Sequence, residues 1–242
     1  MKDNVVLVIG AGPGLGSSLA QKFSQSGFHV FISRRERNYK DLQKLANSIK
    51  KKGLKCTPFA MDARNEEEVQ ELFKFASKHG KIKCVIFNIG ANVYFPIGKT
   101  TSRVFRKVWE MATFAGFLTG KEAAKYMLKN KEGTIIFTGA TASMRGSSGF
   151  SAFSSAKFGL RAIAQSMARE LGPKGIHVVH TVIDGAIDHP WIKENFPEIY
   201  KLKKKDGILN PDEIAKMYID LHNQNKSVWT HEVDLRPYIE KF

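Results

Sequence analysis

The chain has 242 residues, of which 38 are Lys or Arg and 23 are Asp or Glu, giving a formal charge of +15; 43% are hydrophobic, 8 are Pro and 2 are Cys. That balance is of a soluble globular chain long enough to bury a sizeable core, and it excludes collagen, low-complexity disorder and a disulfide framework. Cys56 and Cys84 stand alone, without a CxxC pair or a Cys/His cluster that would hold zinc, which points to a reducing, cytoplasmic setting and to no metal.

The opening apolar run breaks at Gly10, so it predicts a first strand over Val5 to Ile9 and not an export signal. Further strands are expected at His29 to Ile32, Lys55 to Met61, Lys83 to Phe87, Thr134 to Thr138, Ile176 to Ile183 and Val228 to Leu235. Several are apolar on both faces, as a buried parallel sheet requires. Helical patterns lie between them: Leu15 to Ser26 before Gly27, Tyr39 to Lys52 before Gly53, and Glu66 to His79 with three acids in its first turn. Thr101 to Lys129 and Phe150 to Leu171 are longer. Strand and helix in alternation predict one α/β Rossmann domain, a doubly wound, seven-stranded parallel sheet with helices on both faces. The loosest stretch, His189 to Leu209, mixes aromatic residues, Pro190, Pro197 and charges, and is expected to act as a lid. No apolar run is long enough to span a bilayer.

The basic excess is concentrated at Arg34, Arg35, Arg37, Lys40, Lys44, Lys50, Lys51, Lys52 and Lys55, and again at Lys201, Lys203, Lys204 and Lys205. It favours anionic partners without choosing among phosphorylated cofactors, acidic proteins, nucleic acid or anionic lipid. No nucleic-acid module accompanies it, so no specific nucleic-acid partner is expected.

Gly10, Gly14 and Gly16 directly follow the first strand and open the first helix. Glycine there permits a tight turn and close approach of a pyrophosphate to backbone N–H groups, with the helix N-terminus favouring the anion. A dinucleotide site is therefore expected. An acid that would accept hydrogen bonds from the adenosine ribose is missing after the second strand, where Ser33, Arg34 and Arg35 stand instead. Two guanidinium groups suit a 2′-phosphate, so NADP (NADPH) is expected over NAD.

This spacing resembles the glycine motif of the classical short-chain dehydrogenase/reductase family, and the resemblance runs along nearly the whole chain. Asp62 resembles the family's adenine-contacting acid, Asn88 and Gly90 its NNAG stretch, Lys157 the lysine of its YxxxK motif, and Asp184, Gly185 and Ala186 its PG turn. The resemblance implies a cofactor held by Gly10, Gly14, Leu15, Gly16, Ser33, Arg34, Arg35, Asp62, Ala63, Asn88, Gly90, Lys157, Gly185 and Ile187. It also implies a small-molecule substrate and a homodimer or homotetramer.

The proton-handling positions depart from the family pattern. Phe153 occupies the tyrosine position four residues before Lys157, Ala140 the serine position, and Thr113 the asparagine position, while His189 replaces a nicotinamide-contacting threonine. Phenylalanine and alanine neither donate nor accept a proton, so the expected activity is that of an oxidoreductase on a carbonyl or hydroxyl group with an unconventional proton donor. Tyr94, together with Lys157, is the candidate catalytic group, with Ser143 and His189 as further acids. The alternatives are a catalytically silent NADP(H)-binding protein and a basic scaffold for a polyanion.

Overall fold

A computed structural model describes residues 3–241. The apolar runs form seven strands: β1 (Asp3–Ile9), β2 (His29–Arg34), β3 (Cys56–Ala60), β4 (Gly80–Phe87), β5 (Gly133–Thr138), β6 (Ile176–Ile183) and β7 (Glu232–Leu235). All pair in parallel in the order β3-β2-β1-β4-β5-β6-β7. The expected doubly wound α/β sheet is what the chain builds, as a single Rossmann-like domain.

Parallel strands need long crossovers, and helices supply them. On one face lie α1 (Leu15–Gln25), α2 (Tyr39–Lys50) and α9 (Pro211–His222); on the other lie α3 (Glu66–His79), α5 (Ala115–Met127) and α6 (Ser151–Leu171). The remaining helices are α4 (Ser102–Trp109), α7 (Pro190–Asn195) and α8 (Pro197–Lys201). Strand β1 serves both cores by alternation: Val5, Leu7 and Ile9 pack with Phe73 and Leu118, whereas Val6 and Val8 pack with Leu19, Phe23 and Tyr218.

Three features differ from the sequence expectation. The segment 101–129 is not one helix: α4 passes through a π-helical turn, Glu110–Phe114, into α5. Inside the turn the Thr113 hydroxyl donates to the Ala156 carbonyl of α6 at 2.7 Å, tying the wide turn to its neighbour. Second, α9 has no counterpart in the reading above; Asn210 caps it by accepting from the Asp212 N–H at 2.9 Å, and Ile214, Ala215, Tyr218 and Leu221 bury its inner face. Third, β7 begins at Glu232 and not at Val228, because Lys226–Val228 form a 3-10 turn with Val228 exposed.

The strand order reverses between β1 and β4, so their carboxyl ends diverge and open a crevice. Among the described residues no helix is long and apolar enough to cross a membrane, and no group of acids, His and Cys is arranged to hold a metal.

Candidate active site

A cleft of about 910 Å³ occupies that crevice, and its floor is the glycine loop between β1 and α1. Gly10 and Gly14 adopt φ of +94° and +80°, left-handed conformations that side chains resist. Space is equally restrictive: a Cβ on Gly16 would lie 2.7 Å from Ala11 Cα, and one on Gly10 2.9 Å from the Asn88 carbonyl oxygen. Gly12, absent from the residues singled out in the sequence, also lines the cleft.

At the end of β2, Arg34 lies along Gly12, with its Cζ 3.8 Å from where a Cβ there would stand. Arg34 and Arg35 both line the cleft and neither forms an ion pair with a carboxylate among the described residues. Burial lowers the pKa of both guanidinium groups. The buried Ser33 hydroxyl beside them has no hydrogen-bond partner. Half-buried cations in no close ion pair, with Asp41 and Asp62 acting on them only from farther off, an unsatisfied hydroxyl and a glycine cradle together form a socket for an anionic ligand, and they fit the phosphates and ribose of a dinucleotide.

Farther along, Asp62 is clasped by Arg64, whose Nε donates to it at 3.0 Å and whose backbone N–H donates at 3.1 Å. The Arg64 fork holds the Asp62 carboxyl below its usual pKa. Asn88 staples the loop, its Nδ2 donating to the Gly10 carbonyl at 3.2 Å and its N–H to that of Ile9 at 2.8 Å. Leu15, Ala63, Gly90, Gly185 and Ile187 also line the cleft, so all the residues assigned to the cofactor except Gly14 line it, and Gly14 lies directly behind against His189.

Lys157 projects from α6 toward the ends of β4 and β5. Its ammonium donates to the Thr138 carbonyl at 2.9 Å and to the Ile89 carbonyl at 3.3 Å, while the Phe153 ring lies 6.0 Å from Nζ. Burial pushes the Lys157 pKa down to about 8. Phe153 and Ala140 both line the cleft beside Met111, Phe150, Trp191 and Ile192, with Asn92, Arg145, Ser147 and Ser154 as polar members of the same lining.

The candidate substitute acids are dispersed. Tyr94 is not brought to the cleft: it is 61% exposed, with its ring packed over Gly149 and 5.3 Å edge-on to Phe150. The Ser143 hydroxyl is fully buried, accepting from the Ala140 N–H at 3.1 Å. His189 does line the cleft, against Gly14, and its Nδ1 accepts from the Trp191 N–H at 2.9 Å, capping α7. Thr113 spends its hydroxyl on α6.

Two polar networks lie beyond sequence reasoning because their members are distant in the chain. Asp184, almost wholly buried, accepts from Thr141 at 2.5 Å and pairs with Arg145 and Arg236 at 3.4 and 3.6 Å, tying the loop after β5 to the C-terminal segment. Behind Gly139, His180 Nδ1 meets Glu232 at 2.8 Å, and Arg161 grips the same carboxylate at 2.6 and 2.7 Å. Burial pushes the His180 pKa down to about 4, so this imidazole is neutral near pH 7.

A parallel sheet with a glycine-floored cleft at its switch point and a buried lysine above it defines a dinucleotide-binding protein of the Rossmann class. A model of short chain dehydrogenases matches residues 4–198, and the chain belongs to that family of oxidoreductases, which bind nicotinamide cofactors. It is 32% identical over 180 residues to a short-chain dehydrogenase/reductase of Armillaria gallica, spanning 73% of this chain and 69% of that protein. A short-chain dehydrogenase from Rhodopseudomonas palustris has a similar crystal structure, with TM-score 0.85, 48% identity, and 98% of this chain and 100% of that one covered. A metagenomic short-chain oxidoreductase in complex with NADP shares the fold at TM-score 0.80 and 20% identity, with 98% of both chains covered.

Proposed function

We propose that the protein is an NADP(H)-dependent oxidoreductase acting on a carbonyl or hydroxyl group, a divergent member of its family that works without the usual serine and tyrosine. The observation that carries this reading is the pair of half-buried guanidinium groups, Arg34 and Arg35, in no close ion pair among the described residues and beside the unsatisfied Ser33 hydroxyl. They match a 2′-phosphate, which a bare ribose lacks. The nicotinamide, when bound, supplies or accepts the hydride. Lys157 keeps one N–H free of its two carbonyl partners for a ribose hydroxyl. Phe153 moves no proton, so the proton passes through water or through a group on the rim; Tyr94, with an exposed hydroxyl, requires a shift of its loop to take that role.

Met111, Phe150, Phe153, Trp191 and Ile192 favour an apolar substrate, with residues 189–209 closing over it as a lid. The exposed Phe105, Trp109, Phe117 and Phe158 on α4, α5 and α6 support a homodimer or homotetramer, which sedimentation velocity would reveal. The two buried thiols fit a reducing, cytoplasmic compartment.

The coincidence of Phe153 and Ala140 beside an otherwise complete cofactor socket supports a second reading, a catalytically silent NADP(H) binder. Titration with NADPH and, separately, NADH, followed by nicotinamide fluorescence, tests what the two readings share: NADPH binds in the micromolar range and NADH much more weakly. Equal affinities would remove the arginine argument, and no binding would remove both readings. A panel of carbonyl compounds then separates them, since substrate-dependent NADPH oxidation excludes the silent binder.

A further inference from the structure

Two chain segments form the rim of the substrate end of the cleft, and both leave large apolar side chains in solvent. The first is the loop after β4: Asn92 lines the cleft, the Phe95 N–H donates to the Gly149 carbonyl at 2.8 Å, and Ile97 is 78% exposed. The second is the lid, where Trp191 lines the cleft yet is 50% exposed, followed by the exposed Phe196, Ile199 and Leu202. Water penalises such a display, and groups of exposed apolar residues around an opening mark an interaction site.

Both segments are basic. Residues 91–101 contain Lys99 and no acid, and Arg103, Arg106 and Lys107 follow on α4. On the lid, Lys201 and Lys203 are neutralised by Glu198 and Asp188, whereas Lys204 and Lys205 are exposed and in no ion pair among the described residues. The lid's remaining charges are Lys193, Glu194 and Asp206.

We propose that this rim docks on an anionic lipid surface and that the substrate is an apolar molecule taken from the bilayer. Lipid is favoured over an acidic protein because the exposed apolar side chains are spread over two separate chain segments, each with lysines in no ion pair among the described residues, Lys99 on the first and Lys204 and Lys205 on the second. An amphiphile surface accommodates such a ring of side chains, with Trp and Tyr at headgroup depth and lysines against anionic headgroups. The cleft walls Met111, Phe150, Phe153 and Ile192 continue the apolar path inward, so a substrate would pass from acyl chains to the site without crossing water. No helix needs to span the membrane for this peripheral association.

The substrate half of this inference rests on the oxidoreductase reading; the docking half does not. The test is co-sedimentation of the full chain with phosphatidylcholine vesicles, with and without about 30% phosphatidylserine, at roughly 0.15 M salt and with no cofactor present. Binding to the phosphatidylserine vesicles is expected, with little to phosphatidylcholine alone, and a blue shift of tryptophan emission that Trp191→Phe removes. The double change Lys204→Glu/Lys205→Glu should weaken binding at least on the order of 20-fold, and Ile97→Ser should weaken it without changing its salt dependence. Absence of binding, equal binding to both vesicles, or binding indifferent to these substitutions would overturn docking. So would equal affinity for polyglutamate and for vesicles, which would make the rim a general polyanion surface. Vesicle binding by a protein that fails to bind NADPH would keep the docking and remove the oxidoreductase reading. If docking holds and NADPH binds, short-chain carbonyl compounds turned over better than long-chain ones would overturn the substrate assignment alone.

Discussion

The two ends of the cleft were built under different constraints. At the glycine-loop end, between β1, β2 and β4, the features are steric and electrostatic: Gly10 and Gly16 leave no room for a side chain, and Arg34 and Arg35 present partly buried guanidinium groups to the cleft. At the other end, between β5 and α6, several polar groups are spent on the fold: Ser143 serves Ala140, Thr113 serves Ala156 and Thr141 serves Asp184, while the lining combines Met111, Ala140, Phe150 and Phe153 with Asn92, Arg145, Ser147 and Ser154. The contrast teaches that binding and proton transfer are separable demands on one scaffold, because the positions concerned lie on different elements, the glycine loop and β2 at one end and the loop after β5 and α6 at the other.

The substitution that attacks this contrast hardest is Ala140→Ser with Phe153→Tyr. Missing an acid typically costs 10²–10⁴-fold and missing an oxyanion donor 10²–10³-fold, so a rise in NADPH oxidation of at least roughly 100-fold is expected. Initial rates against a carbonyl panel check this, and an unchanged rate would mean that the substrate end has lost more than two groups. At the opposite end, Gly16→Val forces a side chain into Ala11 and Gly10; overpacking of about 1–3 kcal/mol would weaken NADPH binding up to on the order of 100-fold. Fluorescence titration reads this, with circular dichroism reporting whether the fold survives.

The clasp between the two ends gives a pH signature. Lys157 has its pKa pushed to about 8 in the folded protein against 10.5 ordinarily, so between those values the unfolded chain holds the extra proton. Unfolding free energy should therefore rise with pH across that window, by roughly 3 kcal/mol at most, while the full burial penalty persists below pH 8. Urea melts of the parent and Lys157→Met at pH 7.5 and 10 check this; equal pH slopes would contradict it. The smallest effect is expected from Arg34→Ala, about tenfold weaker NADPH binding with NADH unchanged, because one charge-assisted contact is lost while Arg35 remains. A parallel loss for NADH would assign Arg34 to the shared phosphates instead.

Most of the fold was legible because parallel-sheet burial leaves near-continuous apolar runs, such as Val5 to Ile9 and Ile176 to Ile183. The glycine loop was legible because its demands are local. Helix α9 went unread although Asn210, Pro211, Asp212 and Glu213 form a recognisable start, and the π-helical turn leaves no comparable signal. The roles of Thr113, Asp184 and His180 depend on partners 43, 39–52 and 52 residues away, so local patterns carry no trace of them. The place of Tyr94 is hidden for the same reason: its distance from β4 along the chain says nothing about Gly149 and Phe150, against which its ring packs.

The Lys157 ammonium joins the carbonyl that ends β5 to the carbonyl just beyond β4. A residue with that duty holds two strand ends together whether or not it touches a cofactor. Its presence beside Phe153 is therefore expected of a working enzyme and of a silent binder alike, and turnover alone tells the two apart.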